Sequence, residues 1–177
     1  MSESFEPSAR EYFPKGYLPY YITTPIIEYI IQNGDTVDSA LVVMQKEVAG
    51  RMSAEPGSKD YSSISCFVQY YMLPEYLYTI KRASFYPVPE VDSSLIRLSM
   101  RKEPPVKVRN EELFFKIIRG SFNQRRKSII NSLSREAILD TAKSDLTEVL
   151  GRAGVDPSSR PEDLSLSAFA SITNAIS

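Results

Sequence analysis

The sequence predicts an α/β fold in which a small sheet with helices is followed by an all-helical segment. One apolar run, residues 40–44, is uninterrupted and bounded by polar residues, as is typical of a strand covered on both faces. Residues 75–80 and 94–100 alternate between apolar and polar side chains, which indicates two further strands. A Glu-Pro-Pro linker signal at 103–105 follows, and the pattern beyond it is helical.

The N-terminal residues 1–16 are predicted to be poorly structured, because two prolines and a glycine interrupt any period there. Thr24 and Pro25 predict the start of a helix, since a hydroxyl suits the cap and proline suits the first helical position. Gly34 is the predicted end of that helix.

Between the first two predicted strands the sequence predicts helices over residues 45–54 and 64–71. The aromatic and β-branched content of the second stretch leaves a strand open as an alternative. In the strand that follows, strict alternation predicts that Tyr76, Tyr78 and Ile80 share one face.

The segment after the linker is predicted to contain one long helix over residues 111–133, a short piece around Ala137, and helices over 145–150 and 166–176. Asp145 and Glu148 have capping-box spacing at the start of the helix over 145–150, and Gly151 is its predicted stop. The predicted division is a poorly structured segment 1–16, an α/β domain 17–102 and a small helical domain 103–177.

Composition excludes several kinds of site. Histidine is absent, which excludes imidazole catalysis and histidine metal ligands. The single cysteine, Cys66, excludes an internal disulfide and a cysteine-cluster metal site. No apolar run is long enough for a membrane span, and no signal-peptide pattern opens the chain. The sequence therefore predicts a cytoplasmic protein with no metal site and no membrane span.

Charge is unevenly placed along a chain whose formal net charge is −1. Residues 97–127 contain ten basic and three acidic residues, whereas residues 136–177 contain three basic and seven acidic residues. Such asymmetry is typical of a surface that binds a polyanion. A solvated helix surface explains the same charges, and charge alone favours that simpler interpretation.

The first candidate site is the stretch Tyr17-Leu18-Pro19-Tyr20. Proline fixes φ and lacks an N–H, so this loop has a stiff backbone with carbonyls that suit an exocyclic amine. The tyrosine after it suits stacking on a base, as in enzymes that take a base out of its stack. A tight turn with a packed tyrosine explains the same residues, and four residues alone favour that interpretation.

The second candidate site is the proline-rich stretch 85–94, in which Phe85 precedes Pro87 and Pro89. Two prolines hold a backbone extended, and a rigid loop presents an aromatic ring at low entropic cost. A hairpin connection whose aromatics cap the core is an equally good explanation of this stretch by itself.

The third candidate site is the basic stretch 122–128, predicted to lie in the middle of the long helix. Arg119 and Arg126 are seven residues apart, so they are predicted to share one helix face. Such a face is suited to binding phosphates, and the affinity of that binding would depend strongly on salt concentration. A solvated basic face remains a close alternative.

The motifs taken together resemble the bacterial small-subunit rRNA adenine N6,N6-dimethyltransferases. The Leu-Pro-Tyr stretch is similar to the motif-four region of that family, and the later segments are similar in the same order. The matching segments are residues 18–27, 45–49, 56–61, 68–71, 85–94, 124–127 and 160–162. Several motifs in the correct order are far more specific than any one of them.

This resemblance implies a Rossmann-like methyltransferase domain, here with an incomplete sheet, followed by a small all-helical domain. It implies methyl transfer from S-adenosylmethionine, without a metal, to two adjacent adenines near the 3′ end of 16S-type rRNA. It places the catalytic pocket at Tyr17, Leu18, Pro19 and Tyr20, with carbonyls near Leu18 and Pro19 accepting from the adenine amino group. Tyr20 and Phe85 would stack on that adenine.

The same resemblance implies that the helical domain helps to dock the small ribosomal subunit. The residues that would bind RNA there are Arg119, Arg125, Arg126 and Lys127.

The sequence departs from the family pattern in two places. The family has asparagine where this chain has Tyr17, and a phenol is longer and differently aimed. The family also has a glycine-rich cofactor turn, and no G-x-G pattern occurs among the seven glycines of this chain. The sequence therefore predicts a truncated family member that is inactive alone and does not complete a cofactor site.

A second interpretation stays open beside the enzyme. It is a non-catalytic remnant that binds rRNA or the small subunit through its basic helical part. Uncovered strand edges also predict self-association.

Overall fold

The computed structural model describes residues 23–135 and 143–176. The predictions for residues 1–16, for 17–20 and for the piece around Ala137 lie outside the described residues. The helices and strands in chain order are α1 (Thr23–Gln32), β1 (Ser39–Gln45), α2 (Lys46–Met52), α3 (Ser63–Tyr71), β2 (Met72–Ile80), β3 (Ser93–Met100), α4 (Glu111–Asn123), α5 (Ile129–Arg135), α6 (Lys143–Arg152) and α7 (Leu166–Ile176).

The described residues form two compact units. The first unit contains residues 23–53 and 71–102, with all three strands, and the second contains residues 54–70 and 103–176. The chain returns to the second unit at the Glu-Pro-Pro linker. The sequence did not anticipate that residues 54–70 belong with the later helices, and the functional division at residue 102 stays a prediction.

The sheet of the first unit is antiparallel, with strand order β1-β3-β2. Val42 lies opposite Ile96 in the ladder, and both are buried. Helix α2 packs against all three strands and buries Ala49 and Met52. Burial alternates along β1, so only one face is fully covered and the other is half-buried. The prediction of a strand covered on both faces is therefore wrong for its second face.

Strand β2 contains an irregularity that re-aims its tyrosines. Tyr76 lies opposite Ile96, whereas Tyr78 lies opposite Leu95, so one extra residue sits between them. Neighbouring residues of β3 point to opposite faces of the sheet, and Tyr76 and Tyr78 therefore do so as well. The prediction that Tyr76 shares a face with Tyr78 and Ile80 is wrong, because the sequence pattern assumed unbroken alternation. Tyr78 and Ile80, which lie opposite Leu95 and Ser93, do share one face.

The second unit is helical and has its own core, formed by apolar side chains of α4, α5, α6 and α7. The buried side chains that these helices contribute include Phe114, Ile117, Ile118, Ile129, Leu133, Leu146, Leu150, Phe169 and Ile172. Asn110 caps α4, since its side-chain oxygen accepts from the Leu113 amide at 2.9 Å.

The predicted single helix over residues 111–133 is wrong. Helix α4 ends at Asn123 and α5 begins at Ile129. The Ile129 amide donates to the carbonyl of Ser159 at 2.8 Å, and not to a carbonyl of the preceding turn. A hydrogen bond from a distant segment therefore replaces the intrahelical one, which a local periodicity does not reveal.

The glycine that stops helix α6 is not the one predicted. Gly154, with φ of +68°, is the left-handed residue after the helix. Its amide donates to the carbonyl of Gly151 at 3.1 Å, and the Val155 amide donates to that of Leu150 at 2.9 Å. This pair of bonds is the Schellman arrangement, which places Gly151 inside the last helical turn.

Candidate nucleic-acid interface

The proline-rich loop between β2 and β3 is tied at its base by Asp92. One carboxylate oxygen of Asp92 accepts from the Arg82 amide at 2.9 Å, and the other accepts from Nζ of Lys81 at 3.2 Å. The Asp92 carbonyl accepts from the Lys46 amide at 3.0 Å. The hydrogen bond from the Arg82 amide, and then the one from Lys81, lower the pKa of the Asp92 carboxyl, which therefore stays ionised. In this state Asp92 holds the two ends of the loop together.

The loop presents two consecutive aromatic rings to different surroundings. Phe85 is half-buried, whereas the side chain of Tyr86 is fully exposed. Pro87 and Pro89 follow, and the Arg82 guanidinium donates to the carbonyl of Glu90 at 3.3 Å across the loop. Among the predicted pocket residues, only Phe85 lies within the described residues, and its stacking role stays a prediction.

A cluster of hydroxyl groups lies at the start of β3, next to the base of the loop. The Tyr76 hydroxyl is 2.6 Å from the hydroxyls of both Thr79 and Ser94. Burial raises the pKa of Tyr76, but its hydrogen bonds to Ser94 and Thr79 outweigh burial, and the net direction is downward. Sequence reasoning missed this cluster, because the bulge in β2 sets the direction of Tyr76.

The basic stretch 122–128 forms the turn that joins α4 to α5. Arg119 is exposed on α4, whereas Arg126 and Lys127 are exposed in the turn. Because α4 ends at Asn123, Arg119 and Arg126 do not share a helix face. The prediction that they share one is wrong, and the exposed cations occupy a helix and the turn after it.

Arg125 makes a set of contacts that the sequence did not anticipate. Its Nε donates to a carboxylate oxygen of Glu162 at 3.1 Å, and its Nη2 donates to the carbonyl of Tyr61 at 2.9 Å. The same nitrogen donates to the carbonyl of Lys59. Arg125 therefore connects the turn to two other segments of its unit, and its predicted contact with RNA stays a prediction.

Within residues 23–135 and 143–176, no group of acidic or cysteine side chains is arranged to hold a metal ion. The same residues contain no helix with the length and apolar character of a membrane span.

A family model described as "Ribosomal RNA adenine dimethylase" matches residues 3–177. The chain belongs to this ribosomal RNA adenine dimethylase family. Proteins named ribosomal RNA small subunit methyltransferase A are similar along most of the chain. The protein of Geobacillus sp. (strain WCH70) is 45% identical over 160 residues, which are 90% of this chain and 55% of the relative. The protein of Moorella thermoacetica is 43% identical over 159 residues, which are 90% and 54% of the two chains.

Two solved structures share the fold of this chain. A dimethyladenosine transferase from Plasmodium falciparum superposes with a TM-score of 0.75 at 23% identity, covering 93% of this chain and 68% of that one. The 23S rRNA methyltransferase ErmE superposes with a TM-score of 0.63 at 23% identity, covering 93% and 67%. The predicted α/β methyltransferase fold is thus confirmed. The chain spans about half the length of the methyltransferase A relatives.

The described residues do not form a site that fits S-adenosylmethionine. Doubly wound folds bind cofactors at the carboxyl ends of parallel strands, beside a glycine-rich turn. All strand pairs described here are antiparallel. Among the described residues two glycines have positive φ: Gly57, in the segment between α2 and α3, and Gly154, just after α6. Neither follows a strand. The cofactor stays an expectation from the family.

Proposed function

We propose that this chain supplies the adenine-recognition and RNA-docking part of an rRNA adenine N6,N6-dimethyltransferase that acts on the small ribosomal subunit. The observation that carries the proposal is the family match over residues 3–177. The rigid aromatic loop and the exposed cations of the second unit support it.

The pocket would take one adenine out of its stack, since chemistry on a base edge needs that edge exposed. Phe85 and Tyr20 would stack on the two faces of the ring. Carbonyls near Leu18 and Pro19 would accept from the amino group and turn its nitrogen lone pair toward the methyl donor. Tyr17 stands where the family has asparagine, so its hydroxyl would have to reach the same nitrogen.

Docking would use the cations that face solvent. The side chains of Arg119, Arg126 and Lys127 are exposed and make no hydrogen bond or ion pair with any described residue. Phosphate contacts by such side chains position an RNA without reading its sequence. Arg125 would act differently, because its guanidinium is engaged with Glu162 and two carbonyls.

A second candidate function is RNA binding without catalysis. The exposed cations favour it, together with the antiparallel strands that do not fit the cofactor. This candidate shares the docking surface with the first and differs in methyl transfer.

The test is methyl transfer from labelled S-adenosylmethionine to unmodified small subunits, with RNA affinity measured in parallel. Label on adenine N6 would support the first candidate, and Phe85→Ala should then reduce the rate at least about tenfold through lost stacking. Tyr29→Ala is the control, since Tyr29 is 66% exposed on α1 and outside the loop. RNA binding without label supports the second candidate, and neither binding nor label overturns both.

A further inference from the structure

The tip of the proline-rich loop carries exposed apolar side chains that the pocket does not use. Tyr86 is 100% exposed, Val88 is 59% exposed and Val91 is 43% exposed. Three large apolar side chains facing solvent within six residues form a patch that is typical of a binding surface.

Contacts at the base of the loop and across it restrict the conformation of this patch. Its base is tied through Asp92 to Lys81, Arg82 and Lys46. The Arg82 guanidinium spans the loop to Glu90, and two prolines restrict the backbone between them. A ring held in this way loses little entropy on binding.

Tyr86 does not share the surroundings of Phe85. The backbone at Phe85 is extended, with φ of −114° and ψ of 153°. The side chain of Phe85 is half-buried there, whereas that of Tyr86 is fully exposed to solvent. A ligand group that meets Tyr86 is therefore a different group from the one that meets Phe85.

We propose that Tyr86 stacks on an unpaired base of the RNA next to the adenine held by Phe85. This inference rests on the proposed function. Proteins bind single-stranded RNA through exposed aromatic rings with cations nearby. Lys46, Lys81 and Arg82 are exposed around the base of this loop. Stacking on any base needs only a ring face, so Tyr86 positions the RNA strand without selecting its sequence.

The experiment uses an RNA hairpin with two adjacent unpaired adenines and 2-aminopurine as the neighbouring nucleotide. Binding of the full chain should change the 2-aminopurine fluorescence. Tyr86→Ala should abolish that change and weaken affinity roughly five- to hundredfold. Tyr86→Phe keeps the ring and should stay within about twofold of the original chain. The exposed Tyr29→Ala variant is the matched control.

The outcomes separate this inference from the proposed function. If Phe85→Ala weakens binding while Tyr86→Ala behaves as Tyr29→Ala does, the stacking role of Tyr86 is wrong and the proposed function stands. If Tyr86→Ala weakens binding only to assembled small subunits and not to the hairpin, the loop tip meets another part of the subunit, which also overturns the inference. If the original chain does not bind the hairpin or the subunit, both proposals fall.

Discussion

The guanidinium of Arg125 and the carboxylate of Glu162 form an ion pair between the α4–α5 turn and the segment before α7, with Nε 3.1 Å from the nearer carboxylate oxygen. The Glu162 carbonyl also accepts from the Gly57 amide at 2.7 Å. Together with the bonds from Arg125 to residues 59 and 61, these contacts fasten three distant stretches of one unit around a single arginine.

Arg125→Gln should lower the free energy of unfolding by about 1–2 kcal/mol, because two carbonyls and a carboxylate lose a charged donor. The effect stays modest because the Arg125 side chain is 38% exposed and solvent screens the pair. Arg126→Gln is the matched control and should change stability by less than about 0.5 kcal/mol. Urea unfolding of both variants measures this, and equal effects would contradict the assigned role of Arg125.

Arg119→Gln should weaken RNA affinity and reduce the slope of log affinity against log salt by about one, since one phosphate contact is lost. Arg152→Gln removes the same charge from an exposed position in the last turn of α6 and should leave the slope unchanged. Fluorescence titrations over a range of salt concentrations measure both slopes. Equal slopes for the two variants would mean that Arg119 contributes only to the overall charge.

Asp92→Asn should remove the acid sensitivity of the proline-rich loop. The folded pKa of Asp92 lies below its ordinary value of 3.8, so its contribution is complete above that pH and is lost as pH falls through the folded value. Protection of the Arg82 amide from hydrogen exchange should follow that loss in the original chain. In the Asn variant the protection should not change with pH in this range.

Asp156→Asn is the control for this experiment. Asp156 accepts from the Ser158 amide at 2.8 Å in a separate turn, so its replacement should alter Ser158 and leave Arg82 unaffected. Acid-dependent protection of Arg82 that persists in Asp92→Asn would show that another group holds the loop.

Gly154→Ala should destabilise the protein by about 1 kcal/mol, because an alanine at φ of +68° is strained. Gly151→Ala should stabilise it by about 0.5–1 kcal/mol, since Gly151 lies within a helix. An added Cβ meets nothing within 4 Å at either position, so backbone conformation alone distinguishes them. Thermal unfolding measures both, and shifts of the same sign would contradict the assignment of Gly154 as the helix stop.

Several elements were predicted from local pattern and are confirmed. Helix α3 spans Ser63–Tyr71 against a prediction of 64–71, and α7 spans Leu166–Ile176 as predicted. The alternation of β3 is likewise present in its burial. These elements follow from the period of apolar residues, which each stretch contains within itself.

The errors share one physical cause. The break between α4 and α5 depends on the carbonyl of Ser159, thirty residues later in the chain. The bulge that separates Tyr76 from Tyr78 depends on pairing with β3, and strand pairing is decided between strands. A periodicity within one segment contains neither kind of information.

The same distinction holds for the candidate site. The sequence by itself determined the family, the aromatic loop and the basic stretch, because the order of motifs along the chain is local information. Only the tertiary structure decided that Asp92 ties the loop, that Tyr86 faces solvent and that Arg125 is engaged by Glu162. Exposure and partnership depend on which distant groups the fold brings within hydrogen-bond reach, and no single segment specifies that.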